Sequence, residues 1–189
     1  DMFMPRKFLF TKDEIINAAV EITREKGFSS VTARALGDKL GSSSRPVFSY
    51  FDSMAQVQAA VVSAADKIHS DYIRAELEAG KYPPFKCCGM AYVRFARNEK
   101  ELFKVLFMRD RTNESGPLQA DTDEFVDIIT KQVGISKRDA AEFYTEMWVY
   151  VHGMATMIAT GYLDWDDDFV SRALSDAYAG LKQKYEKHC

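Results

Sequence analysis

Apolar residues recur at intervals of three and four along most of the chain, the spacing that places them on one face of an α-helix. Thr11-x-x-Glu14 forms a capping box before Ile15, Ala19 and Ile22, and Gly27 closes that first helix. Ala33, Leu36 and Leu40 define a second helix starting near Thr32 and stopped by Gly41. Ser53-x-x-Gln56 opens a longer stripe through Val57, Val61, Ala64, Ile68, Tyr72 and Ala75, ended by Gly80 and Pro83-Pro84. At about 1.5 Å per residue that element is roughly 40 Å long, enough to join two bodies. Shorter helices follow through Phe85, Cys88, Tyr92 and Phe95, and then, behind Asn98-x-x-Glu101, through Leu102, Phe103, Leu106 and Phe107. Asp110 to Pro117 is a polar loop. Phe125, Ile128 and Ile129 mark one more helix, and two long ones run from Ser136 to about Thr160 and from Asp164 to about Lys187. Gly134 and Gly161 mark two of the ends. β-branched alternation is nearly absent, so the pattern predicts an all-α chain of about nine helices.

The stretch from Ser30 to Phe51 stands apart because its second predicted helix is unusually polar. Ser43 is the candidate N-cap there. Pro46, three residues on, sits among amides that lack an intrahelical acceptor, so Ser43 should cap through the amide of Arg45. An α-helical period then buries Val47, Phe48 and Phe51 and turns Ser44, Arg45, Ser49 and Tyr50 outward. Two short helices around a glycine turn, the second exposing serines and an arginine, suit the major groove: arginine donates two bonds to a guanine edge, and serines reach bases or phosphates. The competing reading is an ordinary surface helix pair, because glycine turns between helices are common.

The run from Val31 to Phe51, with the helix before it and the start of the helix after it, resembles the N-terminal domain of TetR-family transcriptional regulators. Thr32, Leu36, Gly41, Ser43, Val47, Phe48, Tyr50 and Phe51 match the family pattern. Gly37, Ser42, Pro46 and Met54 depart from it. Met54 replaces a lysine and so removes one expected phosphate contact. Trp148-x-x-x-His152-Gly153 also resembles a C-terminal pattern of one TetR subgroup. The resemblance implies a helix-turn-helix DNA-binding domain over residues 1–52 and an effector-binding and dimerisation domain over 53–189, with helix 53–80 linking the two. It implies DNA contacts from Thr32, Arg34, Lys39, Ser43, Ser44, Arg45, Pro46, Ser49 and Tyr50.

Charge and composition change this picture little. The net charge of -3 argues against blanket coating of nucleic acid. Residues 1–52 carry eight Lys/Arg against seven Asp/Glu, leaving 17 against 21 for the remainder, which gives the front end the sign that meets phosphate. Arg6, Lys7 and Lys12 add charge just before the first helix, as a backbone contact or a solvated tail. No run approaches a membrane span and no charged-then-apolar leader opens the chain, so a cytoplasmic protein with no membrane partner is expected. Cys87 and Cys88 are neighbours that cannot easily bridge; buried packing is the plain reading and redox sensing the sharper one. His69, His152 and His188 show no metal spacing with cysteine or carboxylate. Asp164, Asp166, Asp167 and Asp168 lack the glycine and distal glutamate of a calcium loop and are accounted for by the start of a helix. No phosphate loop or nucleophile elbow occurs, so neither cofactor nor catalysis is expected.

In the body, Gly153, Ala155 and Ala159 on one helix and Ala173, Ala177 and Gly180 on the next would let that pair approach a symmetry mate in a four-helix bundle. TetR-like regulators dimerise this way. Phe95, Phe103, Phe107, Met108, Tyr144, Met147, Trp148 and His152 are the candidates for an apolar effector pocket, although any helical core contains such residues. His152, one turn from Trp148, is more simply a hydrogen-bonded packing residue. The expected function is a homodimeric, ligand-responsive repressor binding double-stranded operator DNA and released by a small apolar or amphipathic effector. The alternatives are a constitutive DNA-binding regulator or nucleoid protein without an effector, and a small helical enzyme.

Overall fold

The structure is a computed structural model that describes residues 9–110 and 122–186. Eight α-helices run through them: α1 Lys12–Lys26, α2 Ala33–Lys39, α3 Met54–Ala79, α4 Pro84–Asn98, α5 Lys100–Phe107, α6 Thr122–Val133, α7 Lys137–Ala159 and α8 Asp167–Glu186. Two 3-10 turns, Phe28–Ser30 and Val47–Ser49, interrupt the first third. The third of the nine expected helices is instead the second of these turns. Arg6, Lys7, His188 and most of the expected polar loop after Asp110 lie outside the described residues.

The helix ends follow from local chemistry. Thr11 accepts from the Glu14 amide while the Glu14 carboxylate takes the Thr11 amide, which completes the capping box at α1. Gly27 and Gly41 adopt φ of +85° and +65°, a left-handed backbone that favours glycine and ends α1 and α2. At α3 the amide of Asp52 donates to the Gln56 side chain at 2.9 Å. The box expected from Asn98 does not form, because Asn98 is the last residue of α4 and Glu99 holds the cap position of α5.

The chain forms two compact units. One holds residues 1–70 and 99–109; the other holds 71–98 and 110–189. Helix α3 therefore contributes its first part to one unit and its last part to the other. In the first unit α1 packs against α2 and α5, around Ile15, Ala19, Leu36, Val47, Phe51, Val57, Leu102 and Phe103. Removing these side chains from water supplies the main driving force for that assembly. The Arg24 guanidinium joins α1 to the residue preceding α5, donating to both carboxylate oxygens of Glu99 at 2.8 and 2.7 Å.

In the second unit α4 packs on α7 and α8, and α6 packs on α7. Met90, Phe95, Ile129, Phe143, Ala155 and Ile158 are among its fully enclosed residues. Gly89 keeps α4 close to α8, since a Cβ there would lie 3.0 Å from Leu174. A charged cluster ties three elements together. Arg94 pairs with Glu76, a carboxylate only 6% exposed on α3, and with Asp167 of α8, while Arg97 holds Asp167, Asp164 and the Trp165 carbonyl. Burial alone would push the Asp167 carboxyl up, but the two arginines hold it below its ordinary value.

Candidate DNA-reading turn and helical body

Helix α2 and the turn after it carry the residues expected to meet DNA. Thr32 caps α2, its hydroxyl accepting from the Ala35 amide at 3.1 Å, and remains exposed. Arg34 is exposed, with Asp38 at 4.0 Å. Lys39 donates to the Glu25 carboxylate at 2.6 Å, so its charge is shared with α1. That hydrogen bond lowers the Glu25 carboxyl below its usual value.

The element expected to read DNA is a 3-10 turn, not the α-helix that the sequence pattern predicts. A residue preceding proline is disfavoured in the α region, so no helix can be well established before Pro46, and α3 begins at Met54. Too few residues remain for a stable α-helix. Pro46 itself occupies the cap position of the turn and no side chain caps it, which replaces the expected cap from Ser43. The Val47 amide donates to the Ser44 carbonyl, Ser49 to Pro46 and Tyr50 to Val47, each at 3.2 Å.

That three-residue repeat changes which side chains face out, because side chains at i and i+3 eclipse. Ser44, Val47 and Tyr50 form the inner row, with Val47 fully buried and the other two half-buried. Arg45 and Phe48 form an exposed row, and Ser43 and Ser49 are also exposed. Phe48, expected in the core from an α-helical period, is 47% exposed. Tyr50, expected to face DNA, instead donates its hydroxyl to the Phe10 carbonyl at 3.0 Å and anchors the chain ahead of α1. Pro46 is half-buried. A 3-10 period in the sequence would have found Phe48; the proline was the available signal.

In the body the eight pocket candidates divide between the units. Phe103, Phe107 and Met108 belong to the first; Phe95, Tyr144, Met147, Trp148 and His152 belong to the second. Phe95 and Phe103 are fully buried, Met147 nearly so, and Met108 is exposed, so these four do not read as one lining. Three of the others form a row on α7. Trp148 stacks on His152 at 4.7 Å and 14°, and Tyr144 stacks on Phe125 of α6 at 5.5 Å and 12°. His152 Nδ1 lies 2.9 Å from the Tyr92 hydroxyl of α4, so this histidine is hydrogen-bonded in the packing. Burial pushes its imidazole below the ordinary value and the Tyr92 phenol above its own. Tyr92 and Phe125 were not among the sequence candidates.

The expected dimer residues also divide. Ala155 and Ala159 are 0% and 2% exposed and serve the chain's own core, so they are corrected out of any outward face. Gly153 and Gly180 do face outward: no described atom lies within 4 Å of a Cβ built on either. Ala173 and Ala177 are half-exposed. Around Gly153 the sequence reading missed Val149, Tyr150 and Met157, with Tyr162, Leu163 and Phe169 beyond; these are exposed large apolar side chains. An apolar residue on both faces of α7 was the signal.

Cys87 and Cys88 are packing residues. Cys87 is buried, its thiol 3.2 Å from the Tyr82 carbonyl and 3.4 Å from that of Glu76. Burial pushes the Cys88 thiol up to about 11, far from a reactive thiolate. Asp166 caps α8 by accepting from the Phe169 amide, and among the described residues no cluster of histidine, cysteine and carboxylates could hold a metal. No helix among them is long and apolar enough to cross a membrane.

Residues 15–61 match the family model described as bacterial regulatory proteins of the tetR family. Residues 85–177 match a second, described as a tetracyclin repressor-like C-terminal domain. The chain belongs to the TetR family. A solved structure of a TetR-like transcriptional regulator from Rhodococcus sp. RHA1 shares the fold. It superposes with a TM-score of 0.64 at 16% identity, covering 91% of this chain and 93% of that one. No curated protein matches the chain. The two family matches fall on the reader with the start of α3 and on α4 to α8, so this TetR-family chain has the helix-turn-helix and the helical C-terminal domain of a transcriptional regulator.

Proposed function

We propose that this TetR-family protein is a homodimeric repressor whose two reader turns bind a near-palindromic operator, and whose body takes a small apolar or amphipathic effector that releases it. Residues 1–52 read DNA and 53–189 bind the effector and form the dimer. The observation that carries the reading is the outward row of the turn: Arg45 is exposed beside Ser43 and Ser49, with Val47 rooted in the core beneath. Arg45 supplies the guanine contact, while Thr32, Arg34 and Lys39 take backbone phosphates.

The exposed face of α7 supports the dimer. Val149 and Met157 lie one turn to either side of Gly153, 59% and 40% exposed, and the glycine between them has no partner in its own chain to explain its size. A two-fold pairing of α7 and α8 would cover that face and present two turns to two half-sites. The half-buried aromatic row Tyr144, Trp148 and His152, with Tyr92 across from it, supports an effector site in the body. An effector acts only through its differential affinity for the two conformations; about 1 to 3 kcal/mol changes occupancy several-fold or more.

The full burial of Phe95 and Phe103 favours a second reading, a constitutive regulator whose body is already filled. Footprinting on the protein's own upstream region, beside random duplex and across a salt series, tests operator recognition; equal affinity for both DNAs defeats it. Sedimentation of the wild type and of Met157→Glu tests the dimer. A compound screen read by thermal stability separates the two readings of the body.

A further inference from the structure

The charged cluster of the second unit joins two helices that the proposed function uses for different ends. Glu76 lies in the last turn of α3, which starts at Met54, shortly after the Val47–Ser49 turn, and runs unbroken to Ala79. Glu76 is only 6% exposed, and a carboxylate so far from water persists as a charge only where a cation meets it. Arg94 of α4 is that cation, facing Glu76 through Nη1. The other edge of the same guanidinium donates through Nε and Nη2 to Oδ2 of Asp167 at 3.0 and 2.7 Å, and Asp167 is the first residue of α8. One arginine thus bridges the end of α3 to the start of α8. Arg97 takes the second oxygen of Asp167 at 2.8 Å and spends its remaining donors on Asp164 and the Trp165 carbonyl, which fastens the start of α8 to α4.

We propose that Arg94 and Asp167 are positioning residues for operator recognition: their bridge holds the end of α3 to α8 and so sets the half-site spacing that the dimer accepts. The inference rests on the dimeric operator reading above, in which α8 is one of the paired helices. Pairing fixes the two α8 helices of a dimer against each other. An end of α3 bonded to α8 then leaves the other end, and the turn ahead of it, little freedom to follow half-sites set wider or narrower. Apolar packing between helices could slide to accommodate such a change. The guanidinium cannot, because its planar donors have fixed directions and its departure would strand the enclosed Glu76 carboxylate.

The test selects a preferred duplex from a random pool with the full-length wild-type protein and rebuilds it with one base pair inserted or removed at its centre, which moves the half-sites by about 3.4 Å. The wild type should lose about tenfold or more in affinity, within the usual range of coupling between sites. Arg94→Lys keeps a cation for Glu76 but loses the planar fork, and Asp167→Asn keeps the shape but loses the charge. Each should cut the discrimination between spacings by about threefold or more, with binding to an isolated half-site unchanged and the dimer intact in sedimentation. Arg97→Gln, which loosens the start of α8 but spares the bridge, should discriminate as the wild type does. Full discrimination in both bridge variants, an equal fall in Arg97→Gln, or a wild type indifferent to spacing overturns the inference. Loss of the fold in both bridge variants, read by thermal unfolding, also overturns it, since the bridge would then be structural alone. A wild type that enriches no sequence, or sediments as a monomer, is a separate result that defeats the dimeric operator reading itself.

Discussion

A Cβ placed on Gly37 of α2 would lie 2.9 Å from the carbonyl oxygen of Ser42, and the Ser42 amide in turn donates to the Gly37 carbonyl at 2.9 Å. The segment leading into the Val47–Ser49 turn is thus held backbone to backbone against α2. The next nearest atoms, Ser43 C and Ser44 N at 3.1 Å, are also main chain and cannot swing aside.

Gly37→Ala should therefore destabilise the protein by about 1 to 3 kcal/mol through overpacking, only partly offset by the roughly 1 kcal/mol that alanine gains in a helix interior. The displaced turn should also weaken binding to preferred DNA more than to random duplex. Urea unfolding and DNA titration of the variant check both. A midpoint equal to or above that of the wild type would show that the turn gives way at little cost.

The fold class was legible in the sequence because helix periodicity and end signals are local. Thr11 with Glu14 fixes the start of α1, and Gly27 and Gly41 fix two ends, whatever the rest of the chain does. Phe48 was misplaced because the sequence pattern assumed a 3.6-residue period, and Pro46 imposes a three-residue one. Tyr50 was misplaced because its partner, the Phe10 carbonyl, is 40 residues away and carries no sequence signature. The same limit applies to the small residues of α7. Gly153 and Ala155 look alike in sequence, yet only the packing shows that one faces outward and the other fills the core.

Lys39 and Glu25 illustrate a charge held in reserve. Their pair at 2.6 Å is solvent-exposed on both sides, so it adds little to stability, but it neutralises a lysine on the proposed DNA side of α2. Glu25→Gln should raise affinity several-fold on preferred and random DNA alike and steepen the salt dependence, because the full lysine charge then meets phosphate. Lys39→Ala should lower both affinities equally. A change confined to preferred DNA in either variant would instead place Lys39 at a base edge.

Two arginines of the first unit should respond unequally to substitution. Arg24 holds both oxygens of Glu99, whose side chain is 13% exposed, and also reaches Glu21 at 2.7 Å; these carboxylates raise its guanidinium above the ordinary value. Arg34 has 93% of its side chain in water. Arg24→Lys loses the two-pronged geometry and leaves Glu99 poorly paired, at a cost of about 1 to 3 kcal/mol. Arg34→Ala should fall within about 0.5 kcal/mol of the wild type. Equal unfolding midpoints for the two variants would show that the Glu99 pair is merely decorative in solution.

His69 gives the fold a specific response to acid. Burial pushes its imidazole down to about 4 from the ordinary 6.5, against the smaller opposing pull of Asp66, and its ring meets Phe107 edge-on at 5.4 Å. The unfolded chain takes up the proton near pH 6.5, whereas the folded chain resists until about pH 4. Stability from this group is therefore intact above pH 6.5 and declines as pH falls from there to about 4. The full loss is about 3 kcal/mol, at 1.36 kcal/mol per pKa unit. Carboxylates held low by their partners, such as Asp167, lose their own contribution at lower pH, so the comparison must be differential. Urea midpoints of the wild type and His69→Gln between pH 7.5 and 4.5 should converge as pH falls, with the wild type losing more. Parallel curves would mean that the imidazole takes its proton inside the folded protein without penalty.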